Sequence, residues 1–138
     1  MTADAKFRKS ERLCSKKIIK NLFATGKRLK HYPFKVVYDF RPYVDSSVKI
    51  VIGVPKKNHK PAVKRNLIKR RVRESYRRNK NTLIDILKDK NRTLNLVLIY
   101  VSLQVIEYAE IERKLVGLLA DLAEKIKKDI DIHSDNID

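Results

Sequence analysis

Between Lys56 and Lys80, twelve lysines and arginines are crowded into 25 residues, KKNHKPAVKRNLIKRRVRESYRRNK, against a single carboxylate, Glu74. Charge at that density repels itself and raises the free energy of any compact state, so the segment must lie at a surface and needs a polyanion to be useful. The pattern predicts a helix from about Ala62 to about Lys80, with Pro61 suited to its first turn because a proline lacks the N–H that would go unpartnered there. At about 100° per residue, Ile68, Val72 and Tyr76 share a sector of roughly 80°, a core stripe. Asn66, Lys69, Arg70, Arg73 and Arg77 share a sector of about 100°, read as the opposite, solvent-facing edge. Arginines at that spacing suit phosphates, because a guanidinium bridges two oxygens at once.

The stretch carries +11 of the chain's formal +17. Residues 1–30 hold ten basic residues against Asp4 and Glu11, a net of +8, so the remainder sums to −2. Basicity this localised marks a binding face rather than a generally cationic composition. A phosphate backbone is the expected partner, since neutralising phosphates releases condensed counterions. A solvated helix held by i,i+4 ion pairs would need acidic partners, and Glu74 is the only one. A membrane or calmodulin-like role would need a wider apolar side than a stripe committed to the core.

At 138 residues and 43% hydrophobic content, the chain is expected to be one domain with a modest core. Its only cysteine, Cys14, excludes an intrachain disulfide and suggests a reducing compartment. His31, His59 and His133 lie far apart without ligand spacing, so no protein metal site is expected. The N-terminus lacks the apolar region of a signal peptide, and no apolar run is long enough to span a bilayer. A cytoplasmic location without a membrane partner follows as the expectation.

Residues 16–25 read as a short amphipathic helix capped by Ser15 and ended by Gly26, with Ile18, Ile19, Leu22 and Phe23 at helical spacing. Pro33–Phe40 and Val48–Val54 read as strands, and a further edge strand is expected around Arg28–Tyr32. TLIDILKDK extends or follows the basic helix. Leu94–Val101 is apolar enough for a strand covered on both faces. Glu107–Lys128 is a long amphipathic helix with a stripe of Ile111, Leu115, Leu118, Leu119, Leu122 and Ile126. The order predicts an α+β fold, a two-layer sandwich with one mixed sheet packed on helices.

A helix-turn-helix reader of DNA needs a second helix one short turn away, whereas a loop, strands and two prolines precede the basic helix. RNA or single strands fit better, with Phe23, Phe34 and Tyr38 as candidates for stacking on bases. Each of the three is equally readable as a core aromatic.

AVKRNLIKRRVRESYR, preceded by VKIVIGVPKK and ERLCSKKIIKNLFATGKR, resembles the protein family of bacterial ribonuclease P. Ala62, Val63, Arg65, Asn66, Lys69, Arg70, Arg73 and Glu74 match the family pattern, and the likeness runs from about Glu11 to Lys128. Leu67 stands where the family usually has arginine, and the additional Arg71 is the expected substitute for that contact. The resemblance implies an αβββαβα order, a four-stranded mixed sheet and a left-handed βαβ crossover. It further implies that a large catalytic RNA performs 5′-leader removal from precursor tRNA. The protein then binds that RNA through Arg65, Asn66, Lys69, Arg70, Arg73, Arg77, Lys56 and Lys57.

The same resemblance places Phe23, Ile19, Phe34, Tyr38 and Arg12 at a cleft for the 5′ leader. Mg²⁺ is implied for the holoenzyme, held mainly by RNA phosphates, with DNA not a partner. Residues 1–10 are then a basic arm, 11–128 the domain and 129–138 an acidic, disordered tail. The chain offers no nucleophile, carboxylate pair or metal cluster for phosphodiester hydrolysis, so the protein is expected not to cleave RNA alone. A non-catalytic structural RNA binder of ribosomal-protein type is the alternative reading.

Overall fold

The chain runs α1 (Lys16–Thr25), β1 (Lys27–His31), β2 (Phe34–Pro42), β3 (Val48–Gly53), α2 (Ala62–Asn79), α3 (Asn81–Lys90), β4 (Arg92–Tyr100) and α4 (Tyr108–Asp135). A computed structural model describes residues 16–42 and 48–135, the last seven by backbone alone. The expectations placed on residues 1–10, Arg12, Cys14 and Ser15 lie outside these described residues.

Four strands form one sheet in the order β1-β2-β4-β3. β1 with β2 and β2 with β4 are antiparallel, whereas β3 and β4 run parallel and are joined by the crossover through α2 and α3. Period-two alternation sorts each strand into two sets. On one face Phe34, Val36, Tyr38, Val48, Ile50, Leu94, Leu96, Leu98 and Tyr100 meet Ile68, Val72 and Tyr76 of α2, Leu83 and Leu87 of α3 and the stripe of α4. All six residues of that predicted α4 stripe are buried. On the other face Val37 and Val97 meet Leu22 of α1, with Ile18, Ile19, Val51 and Ile99 packed around them. β4 is thus covered on both faces, as its run of apolar residues demands.

Several boundaries move. β4 begins at Arg92 rather than Leu94, because Arg92 and Thr93 continue the ladder opposite Pro42 and Arg41. TLIDILKDK lies in a separate helix after a one-residue break at Lys80, and that helix ends on Asn91 in the left-handed conformation (φ 56°). α4 continues through residues 129–135, into the segment read as a tail.

Gly26 follows α1 as expected, but without a left-handed backbone. Its requirement is closeness: a Cβ there would sit 2.6 Å from the Leu22 carbonyl oxygen and 2.9 Å from Val37 Cγ1. Only hydrogen at Gly26 lets the chain turn from helix straight into β1 beneath it.

Candidate nucleic-acid interface

α2 buries Ile68, Val72 and Tyr76 completely, as the helical stripe predicts. The basic sector is not opposite to them, however. Its centre lies about 110° from the core stripe, which brings Lys69 within about 20° of Tyr76 and leaves it half-buried. Asn66, Arg70 and Arg73 are exposed. The first turn carries no acidic residue and no side-chain cap, so its N–H groups add positive potential at the end where Lys64 emerges.

Arg77 is engaged by the lone carboxylate. Its Nε and NH2 groups donate to the two Glu74 oxygens at 3.0 and 2.5 Å, one turn away along the helix. Those hydrogen bonds from Arg77 hold the Glu74 carboxyl below its ordinary pKa and raise that of the Arg77 guanidinium. Arg77 therefore meets any phosphate as half of a neutral pair.

Arg71 does not take the place of the arginine absent at Leu67. Its guanidinium donates to the Ile106 carbonyl at 2.6 Å, tying α2 to the segment between β4 and α4, and it points away from the Asn66–Arg70–Arg73 edge. Arg78 turns the same way, donating to the Tyr108 hydroxyl and lying 3.7 Å from Glu112.

Lys56, Lys57 and Lys60 are exposed on the loop between β3 and α2. The loop closes on itself through Asn58 N–H and His59 N–H, both donating to the Pro55 carbonyl at 3.1 and 3.3 Å. His59 is buried beneath it, with Nε2 2.8 Å from the Ser102 carbonyl, which requires a hydrogen on Nε2. Arg65 donates to the carbonyls of His59 (2.9 Å) and Lys60 (2.5 Å).

A groove of about 320 Å³ lies on the α1 face of the sheet, lined by Ile19, Phe23, Val51, Gly53, Val54, Pro55, Val97 and Ile99. Phe23 is 42% exposed, so its ring is offered to the groove and to solvent. Gly53 forms open floor, since a Cβ there would meet nothing within 4 Å. Pro55 ends the groove, and the next residue is Lys56, which joins apolar wall and cationic loop without a gap.

Two of the residues expected at this cleft are elsewhere. Phe34 and Tyr38 are 1% and 2% exposed and belong to the opposite face, where Phe34 packs edge-on to Tyr100 and Tyr38 to Phe40. The register explains it: Phe34 and Tyr38 stand opposite Tyr100 and Leu96, and all four point toward α4 and its neighbours. Ile19 and Phe23 are in the groove as expected, and Arg12 lies outside the described residues. Val51, Gly53, Val97 and Ile99 on the strands, and Val54 and Pro55 after β3, were missed by reading the sequence. The available signal was the second alternation set of β3 and β4, which becomes legible only once register is known.

Among the described residues, no group of three or more His, Cys, Asp or Glu side chains could hold a metal ion. No helix among them is long and apolar enough to cross a membrane. His31 and Asp121 do form a histidine–carboxylate pair at 2.9 Å, but His31 packs over Gly117 of α4, on the far face from the groove.

A sequence model of the Ribonuclease P family matches residues 7–123. The chain is 36% identical over 129 residues to the ribonuclease P protein component of Porphyromonas gingivalis, covering 89% of this chain and 92% of that one. It is 39% identical over 74 residues to that of Petrotoga mobilis, covering 54% and 60%. Among solved structures, the RNase P protein from Thermotoga maritima matches with a TM-score of 0.58 at 28% identity, over 79% of this chain and 94% of that one. The Staphylococcus aureus RNase P protein matches with a TM-score of 0.60 over 83% and 96%, and at 20% identity that likeness is one of fold.

Proposed function

The chain belongs to the ribonuclease P protein family, and on that premise we propose that it binds the catalytic RNA of ribonuclease P and guides the 5′ leader of precursor tRNA. The observation that carries the reading is the continuity of two unlike surfaces. An apolar groove with one exposed aromatic runs through Pro55 into a lysine loop, and that loop leads into α2. Unpaired bases of a single strand need an apolar, partly aromatic floor while their phosphates need cations, and here the two are adjacent in the chain. The exposed Asn66, Arg70 and Arg73 serve the structured RNA, where guanidinium and amide donors meet backbone oxygens.

Hydrolysis is assigned to the RNA, and the protein's own residues bind and orient. The leader is then a strand held by its bases in the groove, with the scissile phosphodiester beyond the protein. On this reading the Mg²⁺ that the holoenzyme needs is held mainly by RNA phosphates. Cations on the protein neutralise part of the phosphate charge when the two RNAs come together, so the Mg²⁺ needed for activity falls. DNA is not a partner on this reading.

Adding the protein to the ribonuclease P RNA of its own source should restore leader removal at low Mg²⁺, and the protein without RNA should leave precursor tRNA intact. No stimulation would sink the proposal. Arg70→Glu should weaken binding to that RNA and lower the salt slope, whereas unchanged affinity would remove the exposed edge of α2 from the interface. Co-purification with ribosomal subunits, with no leader-dependent effect, would favour the structural RNA binder instead.

A further inference from the structure

Arg65 belongs to the basic signature at the start of α2, and the family resemblance implies that it contacts RNA. Its geometry points to different work. Arg65 precedes Val72 by seven residues and Tyr76 by eleven, which at 100° per residue sets it within about 20° of both. It therefore continues the buried stripe of α2 toward the helix N-terminus rather than the exposed edge of Asn66, Arg70 and Arg73. From there its NH1 group reaches back to two consecutive carbonyls, those of His59 and Lys60.

Those carbonyls belong to the segment that carries Lys56, Lys57 and Lys60. Three ammonium groups in five residues repel one another, and the last side chain anchored in the core before them is Val54. Three attachments keep it in one conformation: the Pro55 carbonyl accepts the Asn58 and His59 amides, the buried His59 ring meets the Ser102 carbonyl, and Arg65 grips the far limb. Ser102 is itself held, its Oγ accepting from the Tyr32 hydroxyl at 3.1 Å and from the Gln104 amide at 3.1 Å. Arg65 is the attachment that fixes the loop to α2, and so sets where the lysines stand relative to Arg70 and Arg73.

We infer that Arg65 is a positioning residue, which presents the Lys56–Lys60 loop to RNA phosphates in a preformed arrangement instead of serving as a phosphate ligand itself. A loop ordered before binding loses less conformational freedom on binding, so the lysines bind more tightly without any new contact to RNA. Arginine suits the task because its long side chain carries NH1, with two hydrogens fixed in the guanidinium plane, to both carbonyls and stays charged. The inference rests on the proposed RNA-binding role for the lysine side chains, but the clamp itself does not.

Two measurements test it on the full chain. In the free protein, amide hydrogen exchange at Asn58 and His59 should quicken at least tenfold in Arg65→Ala and Arg65→Lys, with the amides of Val72 and Tyr76 unchanged. Exchange unaltered at Asn58 and His59 would overturn the clamp whatever the RNA does. The second measurement is a cycle of Arg65→Ala with the triple variant Lys56→Ala, Lys57→Ala, Lys60→Ala, read as affinity for the transcribed ribonuclease P RNA and for precursor tRNA.

Arg65→Ala alone should weaken binding about as much as the triple variant does. It should lower the salt slope by about 2 to 3 units, as the loss of three phosphate contacts would. Added to the triple variant, it should change affinity less than twofold. An equal fold-loss in both backgrounds, with a slope change of about one unit, would make Arg65 a direct phosphate ligand and overturn the inference. Arg65→Lys separates the roles further, since a lysine replaces a phosphate ligand passably, but its shorter side chain ends before the position from which NH1 donates to both carbonyls. An unaltered chain that binds neither RNA would overturn the proposed function, and the exchange result would still decide the clamp.

Discussion

The two faces of this sheet use the same strand for different ends. Along β4, Leu94, Leu96, Leu98 and Tyr100 point into a layer made by α2, α3 and α4 and are fully buried. Val97 and Ile99, between them, point toward the ten residues of α1, which cover Val97 and leave Ile99 half-buried on the floor of a groove. Closing a face stabilises the fold by removing apolar area from water, and leaving a face open keeps that area available to a ligand. The molecule therefore places stability and recognition on alternate residues of one strand, with about 3.3 Å between neighbours along the chain.

The largest effects should separate the faces most clearly. Leu98→Ala is expected to cost about 2–5 kcal/mol of unfolding free energy in urea titrations, because its neighbours are packed on all sides. Ile99→Ala should cost about 1 kcal/mol, since a half-buried residue at an open groove loses less transfer energy and leaves no sealed cavity. Equal losses would mean that the groove is a closed core covered from elsewhere. Phe23→Ala should barely move stability, yet reduce the preference for precursor over mature tRNA by about 1–3 kcal/mol if a leader base stacks on its ring. Equal loss for both RNAs would return Phe23 to the core.

How much of this was legible follows the same division. The stripes Ile68–Val72–Tyr76 and Ile111–Ile126 needed only the helical period, because each helix meets the sheet along one line. The basic edge of α2 was readable as charge, but not its side-chain commitments. Arg71 to Ile106 and Arg65 to the loop depend on what the fold brings near, and no spacing rule reports that; Arg77 to Glu74 is an i,i+3 pair that the helical spacing offered. Phe34 and Tyr38 were legible but went to the wrong face. The alternation of FKVVYDF did carry the signal: Phe34, Val36, Tyr38 and Phe40 form one wholly apolar set, whereas Lys35, Val37 and Asp39 hold a single apolar residue, and the richer set faces the three helices. Gly53 could have been any strand glycine until the structure put open space above it.

Gly53 gives a sharper test of the open face than any deletion. Gly53→Leu places a side chain where nothing lies within 4 Å of a Cβ, so the fold should accept it, and loss of a strand glycine should leave stability equal or slightly higher. The groove would be partly filled, and precursor tRNA should bind roughly tenfold more weakly, about 1.4 kcal/mol, with affinity for the catalytic RNA retained. A destabilised fold would show that the space is closed by other parts of the chain. Unchanged leader discrimination would remove this part of the groove from the binding path.

The smallest effect should come from the Glu74–Arg77 pair, which lies on the solvent side of α2 and belongs to neither face of the sheet. Hydrogen bonding by Arg77 lowers the Glu74 pKa in the folded chain. Its contribution is therefore present above the ordinary carboxylate pKa of the unfolded chain and is lost as pH falls through the lower, folded value. Water screens a pair this exposed, so Glu74→Gln should shift the acid limb of the stability profile only slightly, and in the direction of less dependence on pH. A large change on that limb would show Glu74 doing more for the fold than pairing with one arginine, and would extend the stabilising part of the molecule beyond the closed face of the sheet.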